Sequence, residues 1–433
     1  MRILRRALIV GTSAAMLAKL AGCASVEHEP LPITVEDTDS APPPSTVDPT
    51  LDAGAEASFD AGPYVPPPPP VLQCSVSPCT ASLSSGGGPV TCALLVDGRV
   101  QCWGSEESYI GWLGRGAPVR GAARPAPVVG LEHVTQLSVG AAGTSCARTK
   151  DGSIWCWGSN RNGELGLPTS VTSSPTPQKV PDLPPAEMVA VDLAGACAIV
   201  TEDGSVWCWG WDRYAVPPRA GKRPTRLEGA RGRARSIGVR YGKDFSTAPD
   251  TSILVLLESG DVDSMGTLPG RASSYEESFL RPLEVTGVRS VDRLSYVTAR
   301  DVYGWSTMNP VPTIIPGLDG RRVVAVRARA TLVQGGQHLA QPAAALYDDG
   351  TLYLWGTNTG GQLGISQGKL YRSESAWPMT GLERPVISVA VTDNAFCASL
   401  DDGSVRCWGR NDHGQLGHGF VDFDEHASPE LVQ

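Results

Sequence analysis

The chain has 433 residues, among them 49 glycines, 36 prolines, 11 cysteines and 11 tryptophans, and only 19% of it is charged. That much glycine and proline excludes a mainly helical bundle, while 41% hydrophobic residues suffice for a large core and exclude wholesale disorder. A net charge of −9 argues against a nucleic-acid-binding protein, which is ordinarily basic.

Arg2, Arg5 and Arg6 precede an apolar stretch over residues 7–20, which runs into Leu20-Ala21-Gly22-Cys23. A basic start, a short apolar run and small residues before a cleavage point describe a secretory signal, too short to span a membrane. The tetrapeptide resembles the lipobox of bacterial lipoproteins, which implies a signal peptide over 1–22 and acylation of Cys23. Residues 23–73 then read as a disordered tether with nine acids, no Lys or Arg, Pro42-Pro43-Pro44 and a proline run over 66–70. Such a segment cannot bury enough apolar surface to offset the entropy of ordering it. Extended, it reaches about 155 Å, enough to hold residues 74–433, whose net charge is −4, off a membrane.

From there one phrase recurs: Cys92-Ala-Leu-Leu-Val-Asp97-Gly98-Arg-Val-Gln-Cys102-Trp103-Gly104. It returns over 146–158, 197–210 and 397–409, without cysteines over 344–356, faded over 254–266, and fainter still at Tyr303-Gly304. Seven copies of roughly 50 residues, two of them degenerate, predict an all-β fold: a seven-bladed β-propeller of four-stranded blades. Each phrase reads as a hairpin about its Asp-Gly turn. Placing Cys92 opposite Cys102 leaves Val96-Asp97-Gly98 as a three-residue loop, and Cys146 with Cys156 and Cys397 with Cys407 repeat that geometry. In the third copy the one extra residue falls in the loop, so Cys197 still opposes Cys208. Where one cysteine of a pair is missing so is the other, with Ala344 facing Leu354 and Leu254 facing Ser264. Paired occurrence at facing positions predicts disulfide-stapled hairpins. Setting Cys23 aside leaves an even number, and Cys74 with Cys79 close a small loop at the start of the domain. With no Cys-x-x-Cys and pairs on separate blades, no zinc site is read, and the disulfides indicate an oxidising compartment.

Asp402-Gly403-Ser-Val-Arg-Cys-Trp408-Gly409-Arg-Asn411-Asp-His-Gly414-Gln415-Leu416-Gly417 resembles the regulator of chromosome condensation repeat. Trp355-Gly356-Thr-Asn358-Thr-Gly-Gly361-Gln362-Leu363-Gly364 and Trp157-Gly158-Ser-Asn160-Arg-Asn-Gly163-Glu164-Leu165-Gly166 resemble it too. The resemblance covers about 80–433 and implies a seven-bladed propeller. The founding member is a nuclear exchange factor for a small GTPase, a role incompatible with a signal peptide and disulfides. Secreted bacterial relatives that inhibit β-lactamases are the more pertinent precedent. The final strand is expected to complete a blade next to the first.

No catalytic constellation stands out. His28, His133, His338, His413, His418 and His426 show no metal-ligand spacing, and His413 and His418 occupy loop positions of the repeat. Asp422, Asp424, Glu425 and His426 lack the glycine and spacing of a calcium loop and read as a solvated acidic turn. No cofactor and no metal are expected. The signal of specific function lies where the repeat decays: nine cations between Arg219 and Lys243 face only Glu228, and Arg321, Arg322, Arg327 and Arg329 follow. Arg223, Arg226, Arg231, Arg233, Arg235 and Arg240 are the candidates for binding an anionic partner. Trp112, Trp211, Trp305 and Trp377, outside the repeated Trp-Gly position, read mostly as packing between blades. The expectation is a monomeric, non-enzymatic binding module, lipid-anchored in a bacterial cell envelope on the periplasmic side or the cell surface. Its partner would be a protein or an anionic glycan, with no nucleic acid; the alternatives are an inhibitor of a cell-wall enzyme or a polysaccharide-acting enzyme.

Overall fold

A computed structural model describes residues 68–106, 111–117, 122–212, 219–241, 251–266, 280–292, 295–304, 313–328 and 342–433. The segment expected to be a signal, Cys23 and the expected tether up to residue 67 lie outside them, as do Trp305 and Arg329. The regular structure of the described residues is entirely β. Blade 1 comprises β1 (Thr80–Ser84), β2 (Val90–Leu95), β3 (Val100–Gly104) and β4 (Ala122–Pro127); blade 2 comprises β5 (Val134–Val139), β6 (Thr144–Thr149), β7 (Ile154–Ser159) and β8 (Ser173–Lys179). Blade 3 is built from β9 (Ala186–Val191), β10 (Gly195–Val200), β11 (Val206–Asp212) and β12 (Arg219–Arg226), and blade 4 from β13 (Ala234–Tyr241), β14 (Thr251–Leu257), β15 (Val262–Gly266) and β16 (Arg281–Leu283). Blade 5 holds β17 (Ser290–Asp292), β18 (Ser295–Val297), β19 (Val302–Gly304) and β20 (Thr313–Ile314). Blade 6 holds β21 (Val323–Ala328), β22 (Ala343–Tyr347), β23 (Leu352–Thr357) and β24 (Arg372–Pro378); blade 7 holds β25 (Val386–Val391), β26 (Ala395–Leu400), β27 (Val405–Arg410) and β28 (Glu425–Leu431). Each blade is an antiparallel sheet of four consecutive strands, so the fold is a seven-bladed propeller.

Both degenerate repeats form complete four-stranded sheets. Blade 4 keeps long strands because its second strand is a fully buried apolar run, Ile253 to Leu257. Blade 5 shrinks to strands of three, three, three and two residues. The first strands of six blades line a central channel of about 230 Å³, among them Ser84, Gln136, Ser138, Ser236 and Ser290. Side chains stitch some of these strands together: Ser388 Oγ accepts from Leu83 N–H at 3.1 Å, Ser84 Oγ from Val139 N–H at 3.1 Å and Ser138 Oγ from Val191 N–H at 3.0 Å.

Cys92, Cys146, Cys197 and Cys397 sit directly opposite Cys102, Cys156, Cys208 and Cys407 in the hairpin registers. All four pairs are disulfides, and Cys74–Cys79 is the fifth. The Asp of each turn fastens it locally, as where Asp151 Oδ1 and Asp402 Oδ1 accept from Ser153 and Ser404 N–H. The closing glycine is sterically required. Gly158 has φ of 95°, and a Cβ there would lie 1.9 Å from the Gly143 carbonyl oxygen.

β28 is the outer strand of its own blade rather than a member of blade 1, so the ring closes between two intact sheets. Among the described residues β1 opens one blade and β28 ends another, so the first and last blades share no strand. The seam is apolar: Leu83, Ala93 and Trp103 of blade 1 pack with Ala390, Ala395, Cys397, Val405 and Leu416 of blade 7.

Gly158→Ala should cost on the order of 3 kcal/mol, whereas Gly130→Ala, at φ of 71° with nothing within 4 Å of its Cβ, should cost only roughly 1 kcal/mol. Denaturant unfolding of the two variants separates the steric clash from the backbone term. Replacing Cys146 and Cys156 together by Ala and Leu, the pair blade 6 uses at 344 and 354, should lower stability by about 3 kcal/mol, the loop-closure entropy of a short cross-link.

Candidate functional site

The antiparallel order puts the hairpin turns and the blade-to-blade connections at one end of every blade. The first-to-second and third-to-fourth loops lie at the other end. These two ends, the turn face and the loop face, present different chemistry.

On the loop face, three loops between third and fourth strands are each organised by a fully buried asparagine. Asn160 Oδ1 accepts from Leu165 N–H at 2.9 Å while its Nδ2 donates to the Val171 carbonyl at 2.7 Å. Asn358 does the same with Leu363 and Leu370, and Asn411 with Leu416 and Phe420. The loops then receive a tryptophan from the next blade. Trp209 Nε1 donates to the Glu164 carbonyl, Trp408 to that of Gln362, and Trp103, across the seam, to that of Gln415, at 2.8 to 3.0 Å. In blade 1 Trp112 takes the same part, its carbonyl accepting from Trp157 Nε1 at 2.9 Å.

The β27–β28 loop of blade 7 departs from the others. Phe420, Val421 and Phe423 are 50%, 46% and 82% exposed, three large apolar side chains within four residues. Behind them His418 is only 3% exposed, and His426 and Glu430 stand on the same face of β28. His426 Nδ1 lies 3.0 Å from Glu430 Oε1 and its Nε2 3.0 Å from Asp422 Oδ1. Burial pushes the His418 imidazolium down from its ordinary pKa. Burial acts on His426 in the same direction, but hydrogen bonds to Glu430 and Asp422 outweigh it and hold that ring above its ordinary value. Residues 422–426 are therefore not a simple solvated acidic turn: His426 is half-buried and its two nitrogens bridge two carboxylates.

On the turn face the basic residues are engaged within the chain. Arg223 pairs with Asp182 and Arg226 with Asp203, each at 3.1 Å. Arg231 Nε reaches the fully buried Asp263 at 2.6 Å, and its own N–H donates to the same carboxylate. Arg233 donates to the Thr201 and Glu202 carbonyls of blade 3 and faces Glu258 at 3.4 Å, while Arg235 donates to the Arg289 carbonyl of blade 5. The Arg240 side chain lies outside the described residues, although its backbone pairs with Ser252 in blade 4. Arg321 and Arg322 pair with Asp319 and with Asp348 and Asp349, and Arg327 lines the central channel. An open cleft of about 590 Å³ lies between Gly130–His133 and Thr149–Asp151 and is floored by Trp155; the Thr149 hydroxyl on its wall donates to Asp151 Oδ1 at 2.6 Å within the hairpin turn. Trp112 is buried and Trp377 packs partly against the blade 6–blade 7 core, so neither is an exposed anchor; the Trp211 side chain lies outside the described residues.

The model of the regulator of chromosome condensation repeat matches residues 134–164, 151–194 and 386–415. Two of these segments carry the asparagine loops and latched tryptophans of blades 2 and 7, Asn160 with Trp157 and Asn411 with Trp408, and the third runs from the blade 2 hairpin into β9. Residues 134–194 and 386–415 carry regulator of chromosome condensation repeats. Among curated relatives it is 26% identical over 308 residues to the ultraviolet-B receptor UVR8 of Arabidopsis thaliana, covering 68% of this chain and 58% of that protein. It is 25% identical to the X-linked retinitis pigmentosa GTPase regulator homolog of Caenorhabditis elegans, covering 66% of this chain but 23% of that one. The chain thus spans about half or less of the length of these relatives. Among solved structures it resembles Prp20p of Saccharomyces cerevisiae, with a TM-score of 0.65 at 19% identity over 84% of this chain and 87% of the other. Human WBSCR16 follows at a TM-score of 0.56 and 21% identity, over 75% and 88%.

Two features of these repeats escaped sequence reading. The histidine after Leu416-Gly417 looked like an ordinary repeat loop residue, yet the loop folds it inward beneath Phe420. The equivalence of Glu164 with Gln362 and Gln415 signals a buried carboxylate: Glu164 is 1% exposed and accepts from Asn162 N–H at 2.8 Å, where Gln415 accepts from His413 N–H. Burial pushes its pKa up, only partly offset by those hydrogen bonds. The native carboxyl then holds its proton to higher pH than the unfolded chain does, and stability falls as pH rises through the folded value. Glu164→Gln should therefore raise the urea midpoint at pH 7, with the gain over the parent closing as pH is lowered.

Proposed function

We propose that the chain is a lipid-anchored, non-enzymatic binding propeller of a bacterial cell envelope that docks a protein partner on its loop face. The observation that carries this reading is the exposed apolar tip Phe420-Val421-Phe423, mounted on a loop whose base is fixed by Asn411 and by the Trp103 latch. Rigidly held aromatic side chains that lose solvent on contact supply most of the energy of protein interfaces, and pre-organisation lowers the ordering cost. Binding an anionic partner through the turn face instead would require the arginines to leave intramolecular partners. For Arg231 that strands the buried Asp263 carboxylate, a loss on the order of 3–5 kcal/mol; for the exposed Arg223 and Arg226 pairs it costs about 1 kcal/mol or less. Structural neighbours support binding as the general use of the fold: Prp20p is described as binding Gsp1p and histones, and yeast RCC1 has been solved with Kap60 bound. The lipobox at Cys23 and the acidic tether support display from a membrane.

Crosslinking in native membranes with the full-length chain tests the proposal. Phe420→Ser with Phe423→Ser should weaken capture of a saturable protein partner at least tenfold, while Arg223→Ala with Arg226→Ala leaves it within twofold. The opposite pattern would move the interface to the turn face, and the absence of any saturable partner would overturn the binding reading. Cys23→Ser should shift the protein from the membrane to the soluble fraction.

A further inference from the structure

We propose that His418, His426 and Glu430 form a binding site for one divalent transition-metal ion of the Zn²⁺ type, which pins the β27–β28 loop to the outer strand of blade 7 at the ring seam. The donor atoms of the three residues lie within 4.8 Å of one another. Glu430 sits between the rings, with Oε1 3.0 Å from His426 Nδ1 and Oε2 3.4 Å from His418 Nδ1. Ligands of a tetrahedral zinc ion stand about 3.3 Å apart, given metal–ligand distances near 2 Å. The widest donor pair must then close by up to about 1.5 Å, and the half-exposed Glu430 side chain is the ligand with the most freedom to move.

The second observation is independent of the spacing. Both His418 ring nitrogens are buried and neither makes a hydrogen bond. A buried imidazole that makes no hydrogen bond is costly in an ordinary loop, since each such atom forfeits its hydration. Nδ1 has only Glu430 Oε2, at 3.4 Å, and a metal ligated by both would replace that long contact with two ligand bonds. Beyond the three ligands, His426 Nε2 meets Asp422 Oδ1 at 3.0 Å, and Asp422 is itself held by the Asn411 amide at 2.9 Å. That is a carboxylate–histidine–metal arrangement, in which the outer carboxylate fixes the ring's tautomer and orientation. Two imidazoles and one carboxylate suit Zn²⁺ and its first-row neighbours, whereas Ca²⁺ and Mg²⁺ prefer all-oxygen shells. Three protein ligands beside a solvent-facing glutamate leave a fourth position for water.

The placement gives the ion a structural consequence. Gly417 immediately precedes His418, and the Gln415 carbonyl that latches Trp103 of blade 1 lies two residues further back. An ion joining His418 to β28 would fasten the loop from the other side of that latch, and Gly419 N–H continues the seam by donating to the Ala123 carbonyl at 2.9 Å. The proposal is separate from the partner reading: it concerns the base of the loop, not Phe420 and Phe423 at its tip.

Calorimetric titration of the chelator-treated full-length chain with Zn²⁺, and Co²⁺ absorption spectroscopy, test it. We expect one ion per chain, a melting temperature that rises and saturates at one equivalent, and a Co²⁺ spectrum of low coordination number with nitrogen ligands. His426→Ala and Glu430→Gln should each weaken binding at least a hundredfold and abolish the melting shift, and Asp422→Asn should weaken it about tenfold. Glu430→Gln, half-exposed and isosteric, keeps the test readable if a histidine variant is poorly folded, and His413→Ala, on the exposed part of the same loop, should leave binding unchanged. No stoichiometric binding, or binding that survives both Glu430→Gln and His426→Ala, would show that the cluster is a hydrogen-bonded network without an ion.

Discussion

The indole N–H of the repeated tryptophan is the interaction on which the ring depends. A tryptophan buried between blades removes a large apolar surface from water, but its N–H must find an acceptor there. For Trp103, Trp157, Trp209 and Trp408 the acceptor is in the preceding blade, the main-chain carbonyl of a loop residue. In blades 2, 6 and 7 that carbonyl is set by a loop wound around its asparagine, and in blade 1 Glu106 accepts from Leu113 N–H beside the Trp112 carbonyl. One blade's polar loop therefore completes its neighbour's core, and the last such bond, from Trp103 to blade 7, closes the circle. The disulfides act within blades and the latches between them, so the two devices stabilise different levels of the structure.

Where the latch is missing, another device takes its place. Met265 and Tyr303 stand at the tryptophan position in blades 4 and 5, and here the first strands follow an arginine-rich segment. Arg233 bonds carbonyls of blade 3, Arg235 bonds blade 5, and Arg289 bonds the Gly320 and Arg321 carbonyls leading into blade 6. Guanidinium groups with several donors in a fixed fork suit the bridging of carbonyls on adjacent sheets. The cationic run reads physically as repair of the degenerate sector, while the exposed apolar tip and the histidine cluster are additions to an intact blade. A regular repeat thus carries an exposed apolar tip on a base held by Asn411 and the Trp103 latch.

Much of the fold was legible because its determinants are local. Asp-Gly turns and facing cysteines set hairpin registers to the residue, and five Trp-Gly phrases with the two degenerate copies ending in Met265-Gly266 and Tyr303-Gly304 set the blade number. The completeness of blades 4 and 5 was not legible, since what holds them is burial of Ile253 to Leu257 and a few short strands rather than the repeated phrase. Of the site, the arginines were visible as charge but not as occupied charge; their partners, such as Asp263 for Arg231, lie a blade strand away and belong to no motif. His418 was visible only as a loop residue.

By itself, the sequence determined the seven-fold repeat, the disulfide pairing and the turn geometry, because each rests on residues a few positions apart whose backbone requirements admit one solution. Only the tertiary structure decided which charges are spent and which groups converge. His418, His426 and Glu430 meet because the loop after Gly417 folds inward and β28 alternates its side chains toward it, and the arginines are engaged because ring closure brings each blade's turns against the next. Those outcomes depend on how sheets pack around an axis, which no local pattern encodes.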